Sequence, residues 1–157
     1  MALKKLIVVR HGQYAGNFLT QEGSKRIEAL GDTLAPILAG TSVAIFSSPA
    51  MRAVRTAWIL EEKLPGATFD REDLYPFLES KNEELTPRQA SEAANLVEEA
   101  GETYEAVILS THLEFVEEFP SFWGVRRDQK IPFAHGLPPG SARIISVATG
   151  KVEEIRS

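Results

Sequence analysis

The chain has no cysteine in its 157 residues. That absence excludes disulfides, thiolate metal sites and a cysteine nucleophile together. Histidine is scarce, with three residues, so a histidine-rich metal centre is not expected. Basic charge is also in deficit: 17 Lys and Arg face 22 Asp and Glu, for a formal net charge of -5. No Lys/Arg run stands out, so the basic face of a nucleic-acid binder is missing. The acidic pairs Glu83-Glu84, Glu98-Glu99 and Glu117-Glu118 read as solvated helix faces. No apolar stretch approaches the roughly 18 residues of a membrane helix. The first apolar run, Leu6-Ile7-Val8-Val9, stops at Arg10 and is too short for a signal-peptide core. The expected location is therefore the cytoplasm, with neither nucleic acid nor membrane as partner.

What is present is ordinary globular chemistry, with 43% hydrophobic and 25% charged residues. The length suits a single domain over residues 1–157. Apolar blocks alternate with helical patterns, the sequence form of βαβ units. Leu6–Val9, Val43–Phe46 and Ala106–Leu109 are continuous apolar runs, as in strands covered on both faces of a parallel sheet. Ala67–Phe69 predicts a shorter fourth strand. Arg143–Val147 and Lys151–Ile155 flank Thr149-Gly150 and predict a closing hairpin.

Helices are predicted between these strands. The first spans about Thr20 to Ala39, with Pro36 distorting its last turn and Gly40 ending it. The second is predicted to start with Ser48 as cap and Pro49 at the first helical position. The third opens on the capping box Thr86-Pro87-Arg88-Gln89 and ends at Gly101. The fourth begins near Leu113 and is predicted to break at Pro120. Asp70 to Leu85 and Gly124 to Pro139 read as loops. The fold class is a three-layer α/β sandwich with a mostly parallel central sheet and an antiparallel edge strand.

Three chemical motifs fall just beyond strand ends. Arg10-His11-Gly12 follows the first strand, Ser47-Ser48-Pro49-Ala50-Met51-Arg52 the second, and Ser110-Thr111-His112 the third of the long runs. Open α/β sheets bind ligands beyond the carboxyl ends of their strands. Two Arg and two His can therefore meet at one edge. Arg offers a planar fork of donors that matches phosphate oxygens. Arg52 also falls in a first helical turn, where the helix dipole favours an anion. A neutral imidazole is a competent nucleophile toward phosphorus. A second His can hold equatorial oxygens as charge builds. Gly12 lets the backbone pass close to a bound group.

These motifs resemble the histidine phosphatase superfamily, also called phosphoglycerate mutase-like. Arg10-His11-Gly12-Gln13, with Asn17 four residues further on, is similar to its Arg-His-Gly-Glu/Gln-x-x-x-Asn signature. Leu19-Thr20-x-x-Gly23 resembles the segment that opens the family's first helix. Ser47-Ser48-Pro49-x-x-Arg52-Ala53-x-x-Thr56-Ala57 is close to a second family motif. Ser110-Thr111-His112 falls where the family carries its second His. Leu113 after His112, and the short chain, are similar to the compact SixA-like phosphohistidine phosphatases.

The resemblance implies a phosphatase acting through phospho-His11, with Arg10, Arg52 and His112 clamping the phosphoryl group. Gly12, Gln13, Asn17 and Thr111 would line the substrate side. No metal or organic cofactor is implied. The general acid is expected at Glu79, in Phe77-Leu78-Glu79, with Glu83, Glu84 and Glu114 as rivals. The expected substrate is a phosphorylated protein, phosphohistidine above all, or an accessible phosphomonoester. A sugar-phosphate phosphatase or mutase, and a non-catalytic phosphate-binding module, are the alternatives. Tyr14 is expected at the pocket rim, Phe115, Phe122 and Trp123 in the core, and His135 at the surface. The oligomeric state is not legible in the sequence.

Overall fold

The computed structural model describes residues 1–79 and 84–156. In chain order its strands are β1 (Lys5–Arg10), β2 (Tyr14–Ala15), β3 (Phe18–Leu19), β4 (Val43–Ser47), β5 (Thr68–Phe69), β6 (Ala106–Thr111), β7 (Ala142–Ser146) and β8 (Val152–Ile155). Its helices are α1 (Gln21–Ile37), α2 (Met51–Lys63), α3 (Pro87–Ala100) and α4 (Leu113–Arg126). A six-stranded sheet runs in the order β5-β4-β6-β1-β7-β8. Strands β5, β4, β6 and β1 are parallel; β7 pairs antiparallel with β1, and β8 antiparallel with β7.

Each central strand is buried on both faces, which explains the unbroken apolar runs. Ile7, Val9, Ile45, Ile108 and Ile144 pack under α1 and α2. Leu6, Val8, Val107, Leu109 and Ile145 pack under α3 and α4. Each such side chain contributes about 1.5–3 kcal/mol by leaving water. The result is a three-layer α/β sandwich. Phe115 and Trp123 are fully buried in the second of these clusters, and Phe122 packs against it.

The sheet register brings the motifs together. Arg10 pairs with Thr111, and Ser47 with Ser110. His11, Ser48 and His112 therefore leave the sheet side by side. The hairpin β2–β3, joined through Gly16-Asn17, was not expected from the sequence. Gly16 takes the left-handed φ of 63° that a two-residue hairpin turn requires.

The ends of α1 and α3 follow local chemistry. The Thr20 side chain accepts from the Gly23 N–H at 2.9 Å and starts α1. The helix ends at Ile37, just past Pro36, and Gly40 has the left-handed φ of 74°. The Thr86–Gln89 capping box starts α3, and Gly101 is its C-cap. Helix α2 differs from expectation. It begins at Met51 with Ala50 at the N-cap and no side-chain cap, because the Ser48 hydroxyl is bonded elsewhere.

Pro120 does not break α4, which continues to Arg126. Its ring removes the hydrogen bond that residue 120 would give to the Val116 carbonyl. The guanidinium of Arg143, only 2% exposed, supplies the substitute. Its Nη1 donates to the carbonyls of Val116 at 3.2 Å and Glu117 at 3.4 Å, and its Nη2 to that of Pro132 at 2.9 Å. The loop expected from Gly124 accordingly starts only after Arg126.

Candidate active site

The backbone beyond β1 is held from three sides. His11 N–H donates to the Thr111 carbonyl at 2.9 Å, and Gly140 N–H to the His11 carbonyl at 3.0 Å. Gly12 N–H donates to Thr56 Oγ1 at 3.0 Å, and that hydroxyl donates to the Arg52 carbonyl at 2.8 Å. Thr56 thus ties the His11 turn to the helix that carries Arg52. Gly23 has no room for a side chain: a Cβ there would lie 2.2 Å from the Gln13 carbonyl oxygen. The α1 backbone presses directly on the turn.

The two imidazoles meet edge to face. The His11 and His112 ring centroids are 5.2 Å apart at 66°, and Tyr14 stands edge-on to His11 at the same 5.2 Å. His11 Nδ1 lies 2.9 Å from the Gly12 carbonyl, which can only accept. Nδ1 therefore carries the proton, and the Nε2 lone pair faces the site. Arg52 Nε donates to that Nε2 at 3.3 Å, and the Arg52 guanidinium lies 4.7 Å from the Tyr14 ring centre. The Ser48 hydroxyl is 2.9 Å from His112 Nε2. Arg10 Nη1 donates to the Leu137 carbonyl, while its buried Nε has no partner among the described residues.

Burial dominates the electrostatics. It lowers the His11 pKa to about 4, opposed by the Gly12 carbonyl and helped by Arg52 and Arg10. It lowers the His112 pKa to about 3, helped by His11, Arg52 and Arg10. Both rings are neutral at pH 7. The Arg10 pKa is also lowered by burial, while Glu114 and then Glu117 push it back up. Neither Arg10 nor Arg52 forms an ion pair among the described residues, unlike Arg26, Arg88, Arg126, Arg143 and Arg156. Two guanidinium groups beside two neutral imidazoles are chemically suited to hold a phosphoryl dianion.

The structure therefore brings Arg10, His11, Gly12, Arg52 and His112 together. Other expected positions are less direct. Gln13 has an exposed side chain, and its carbonyl accepts from Thr20 N–H at 3.0 Å. Asn17 lies exposed in the β2–β3 turn, with no hydrogen bond among the described residues. The buried Thr111 hydroxyl donates to the Leu78 carbonyl, so it holds a loop rather than lining the pocket. That loop carries Glu79, which follows a single 3-10 turn, Pro76–Leu78. Gln89 Nε2 donates to the Glu79 carbonyl at 2.8 Å and pins the loop to α3. Glu79 is half-buried near the C-terminal end of β6. Glu114, in the first turn of α4, is the rival placed toward Arg10. Glu84 is exposed, and Glu83 lies outside the described residues. His135 is exposed, and its carbonyl accepts from Arg156.

Three supporting groups escaped the sequence: Ser48 on His112, Thr56 on Gly12, and the Leu137 carbonyl on Arg10. The first two stand inside the Ser47–Ala57 motif. The third is backbone and leaves no trace in residue type.

No family model matches the chain, and no curated protein matches its sequence. Solved structures do match it. The chain aligns over 98% of its length with 89% of a phosphoglycerate mutase from Plasmodium falciparum, at 21% identity and TM-score 0.60. It aligns over 97% with 96% of the protein histidine phosphatase SixA complexed with tungstate, at 15% identity and TM-score 0.63. It aligns over 96% with 97% of a mycobacterial glucosyl-3-phosphoglycerate phosphatase complexed with VO3, at 16% identity and TM-score 0.66. The chain has the phosphoglycerate mutase-like α/β fold. Within that fold it has the compact form, matching SixA nearly end to end.

Proposed function

We propose that the chain is a metal-independent histidine phosphatase that works through phospho-His11. The observation that carries this reading is the adjacent pair His11–His112 at 5.2 Å, with the His11 tautomer fixed by the Gly12 carbonyl. The structural likeness to a histidine phosphatase with tungstate and a phosphatase with VO3, both phosphate-like oxyanions, supports it.

In the first step His11 Nε2 attacks phosphorus. The N–P bond forms as the bond to the leaving group breaks, and the leaving atom takes a proton from Glu79 when it is an alkoxide. Arg10, Arg52 and His112 hold the equatorial oxygens. Each charge-assisted contact of this kind contributes roughly 1.5–3 kcal/mol. Water then attacks phosphorus, gives its proton to the Glu79 carboxylate, and the P–N bond breaks to release inorganic phosphate. A phosphohistidine substrate has a better leaving group and depends less on the acid. The first-choice substrate is accordingly phosphohistidine on a protein, followed by accessible phosphomonoesters.

The test compares a phosphohistidine peptide, p-nitrophenyl phosphate and a panel of sugar phosphates in EDTA. Wild type should turn over the first two, and His11→Ala neither. Glu79→Gln should slow the ester more than the phosphohistidine. Full turnover by His11→Ala overturns the covalent route. Turnover of sugar phosphates alone assigns the chain to metabolites, and phosphate binding without any hydrolysis makes it a binding module.

A further inference from the structure

Beyond the phosphoryl site, one face of α2 continues as a groove of about 270 Å³. Arg52 sits in the phosphoryl site; Arg55, Ile59 and Glu62 follow it at helical spacing along the same face. Phe18 and Leu19 of β3, Ser24 of α1 and Trp58 of α2 complete the lining. The hairpin serves both arginines: Tyr14 of β2 lies under Arg52, and Phe18 of β3 under Arg55, its ring centre 5.0 Å from the guanidinium.

Arg55 is the unexplained group. It is half-buried, and its Nε is buried with no hydrogen-bond partner among the described residues. It forms no ion pair among the described residues, although the chain carries more carboxylates than cations. Arg71 is likewise without a carboxylate and stacks on Trp58, 3.4 Å from its ring centre. Arg55 thus lies one helical turn from Arg52 with no carboxylate paired to it among the described residues, and Glu62 follows two turns further along α2. A guanidinium fixed over an aromatic ring, with its donors unspent, is a receptor for a planar or tetrahedral anion.

We propose that Arg55 and Phe18 form a second anion subsite. The preferred substrate then carries a carboxylate or phosphate about one helical turn from the scissile phosphoryl group, with an apolar segment lying against Phe18 and Trp58. This rests on the phosphatase reading of the adjoining site and adds a substrate class to it.

The test uses binding and turnover in parallel. The unreactive probes are 4-phosphonobutyrate and butylphosphonate, equal in length and differing in the terminal carboxylate. Wild type should bind the first about tenfold more tightly, a preference of about 1.4 kcal/mol. Arg55→Gln should reduce that ratio to near one, and Arg55→Lys should restore part of it. Phe18→Ala should lower the ratio without removing the charge, which keeps the test valid if Arg55→Gln fails to fold. In turnover, the pairs are carboxyphenyl phosphate against phenyl phosphate, and a phosphopeptide with Glu beside the phosphorylated residue against its Gln counterpart. Preference for the acidic member of the first pair points to a free metabolite, and of the second to a displayed peptide; either supports the subsite. Equal binding of the two phosphonates by wild type, or a ratio unchanged in both Arg55→Gln and Phe18→Ala, overturns it. If the phosphonate ratio holds but nothing is hydrolysed, the subsite stands and the phosphatase reading fails.

Discussion

The Ser48 hydroxyl and His112 Nε2 lie 2.9 Å apart, across 64 residues of sequence. Ser48 therefore orients the second imidazole instead of capping α2. Among the described residues His112 Nδ1 has no protein partner, so this hydroxyl is the ring's one anchor.

The Ser48→Ala variant separates these roles. A lost helix cap costs roughly 1 kcal/mol of stability and leaves chemistry untouched. A lost ring anchor lowers kcat, here by about tenfold, because the tautomer and orientation of His112 are no longer fixed. The expected result is a fall in kcat with little change in KM and unchanged helicity by circular dichroism. Unaltered kcat with a lower melting temperature would contradict this role for Ser48.

Both buried imidazoles make stability depend on pH. Their folded pKa values, about 4 for His11 and about 3 for His112, lie below the ordinary 6.5. Between those values the unfolded chain binds protons that the folded chain refuses. Stability is thus full above about pH 6.5 and falls as the pH drops toward 4. Each group contributes a slope of at most about 1.4 kcal/mol per pH unit. Urea unfolding at pH 7, 6 and 5 should show the midpoint falling, and both His→Ala changes should flatten the trend. Phosphate should recover the midpoint most at low pH, since a bound dianion favours the protonated rings. An unchanged midpoint from pH 7 to 5 would contradict the burial argument.

What the sequence made legible was the convergence of three motifs. Long apolar runs identify buried parallel strands, and residues directly after them must share one edge. The positions of Arg10, His11 and His112 follow from that, and Arg52 from the helix start that comes next. What it concealed depended on distant partners. A Ser-Pro pair reads locally as a helix start, and only the fold shows that His112 claims the hydroxyl. Pro120 reads as a helix end, and only the fold places Arg143 against the Val116 carbonyl it frees. The β2–β3 hairpin has two residues per strand and is too short to show an alternating pattern.

The link between Arg143 and Pro120 can be measured as a coupling energy. Replacing Arg143 with Met removes this donor from the buried Val116 carbonyl and from the Pro132 carbonyl, while the Glu117 carbonyl keeps the Ala134 N–H at 3.2 Å. The expected loss is about 3 kcal/mol or more. Pro120→Ala restores an N–H for the Val116 carbonyl. In the Arg143→Met background it should therefore recover roughly 1 kcal/mol more than in wild type. Denaturant unfolding of the four proteins gives the cycle; simple additivity would show that the guanidinium does not compensate for the proline.

Glu114 and Glu79 can be told apart by the direction of their effects. Glu114 is the leading carboxylate acting on Arg10, two residues past His112, and it offsets part of the positive charge that would hold phosphate. Glu114→Gln should tighten competitive inhibition by inorganic phosphate by roughly threefold to tenfold, with kcat for p-nitrophenyl phosphate little changed. Glu79→Gln should leave phosphate inhibition nearly constant and lower kcat for alkyl phosphates by about 10²-fold or more, the ordinary worth of a positioned acid. If instead Glu114→Gln abolishes alkyl phosphate turnover and Glu79→Gln does not, the proton donor is on α4 and the loop after Leu78 is only a wall of the site.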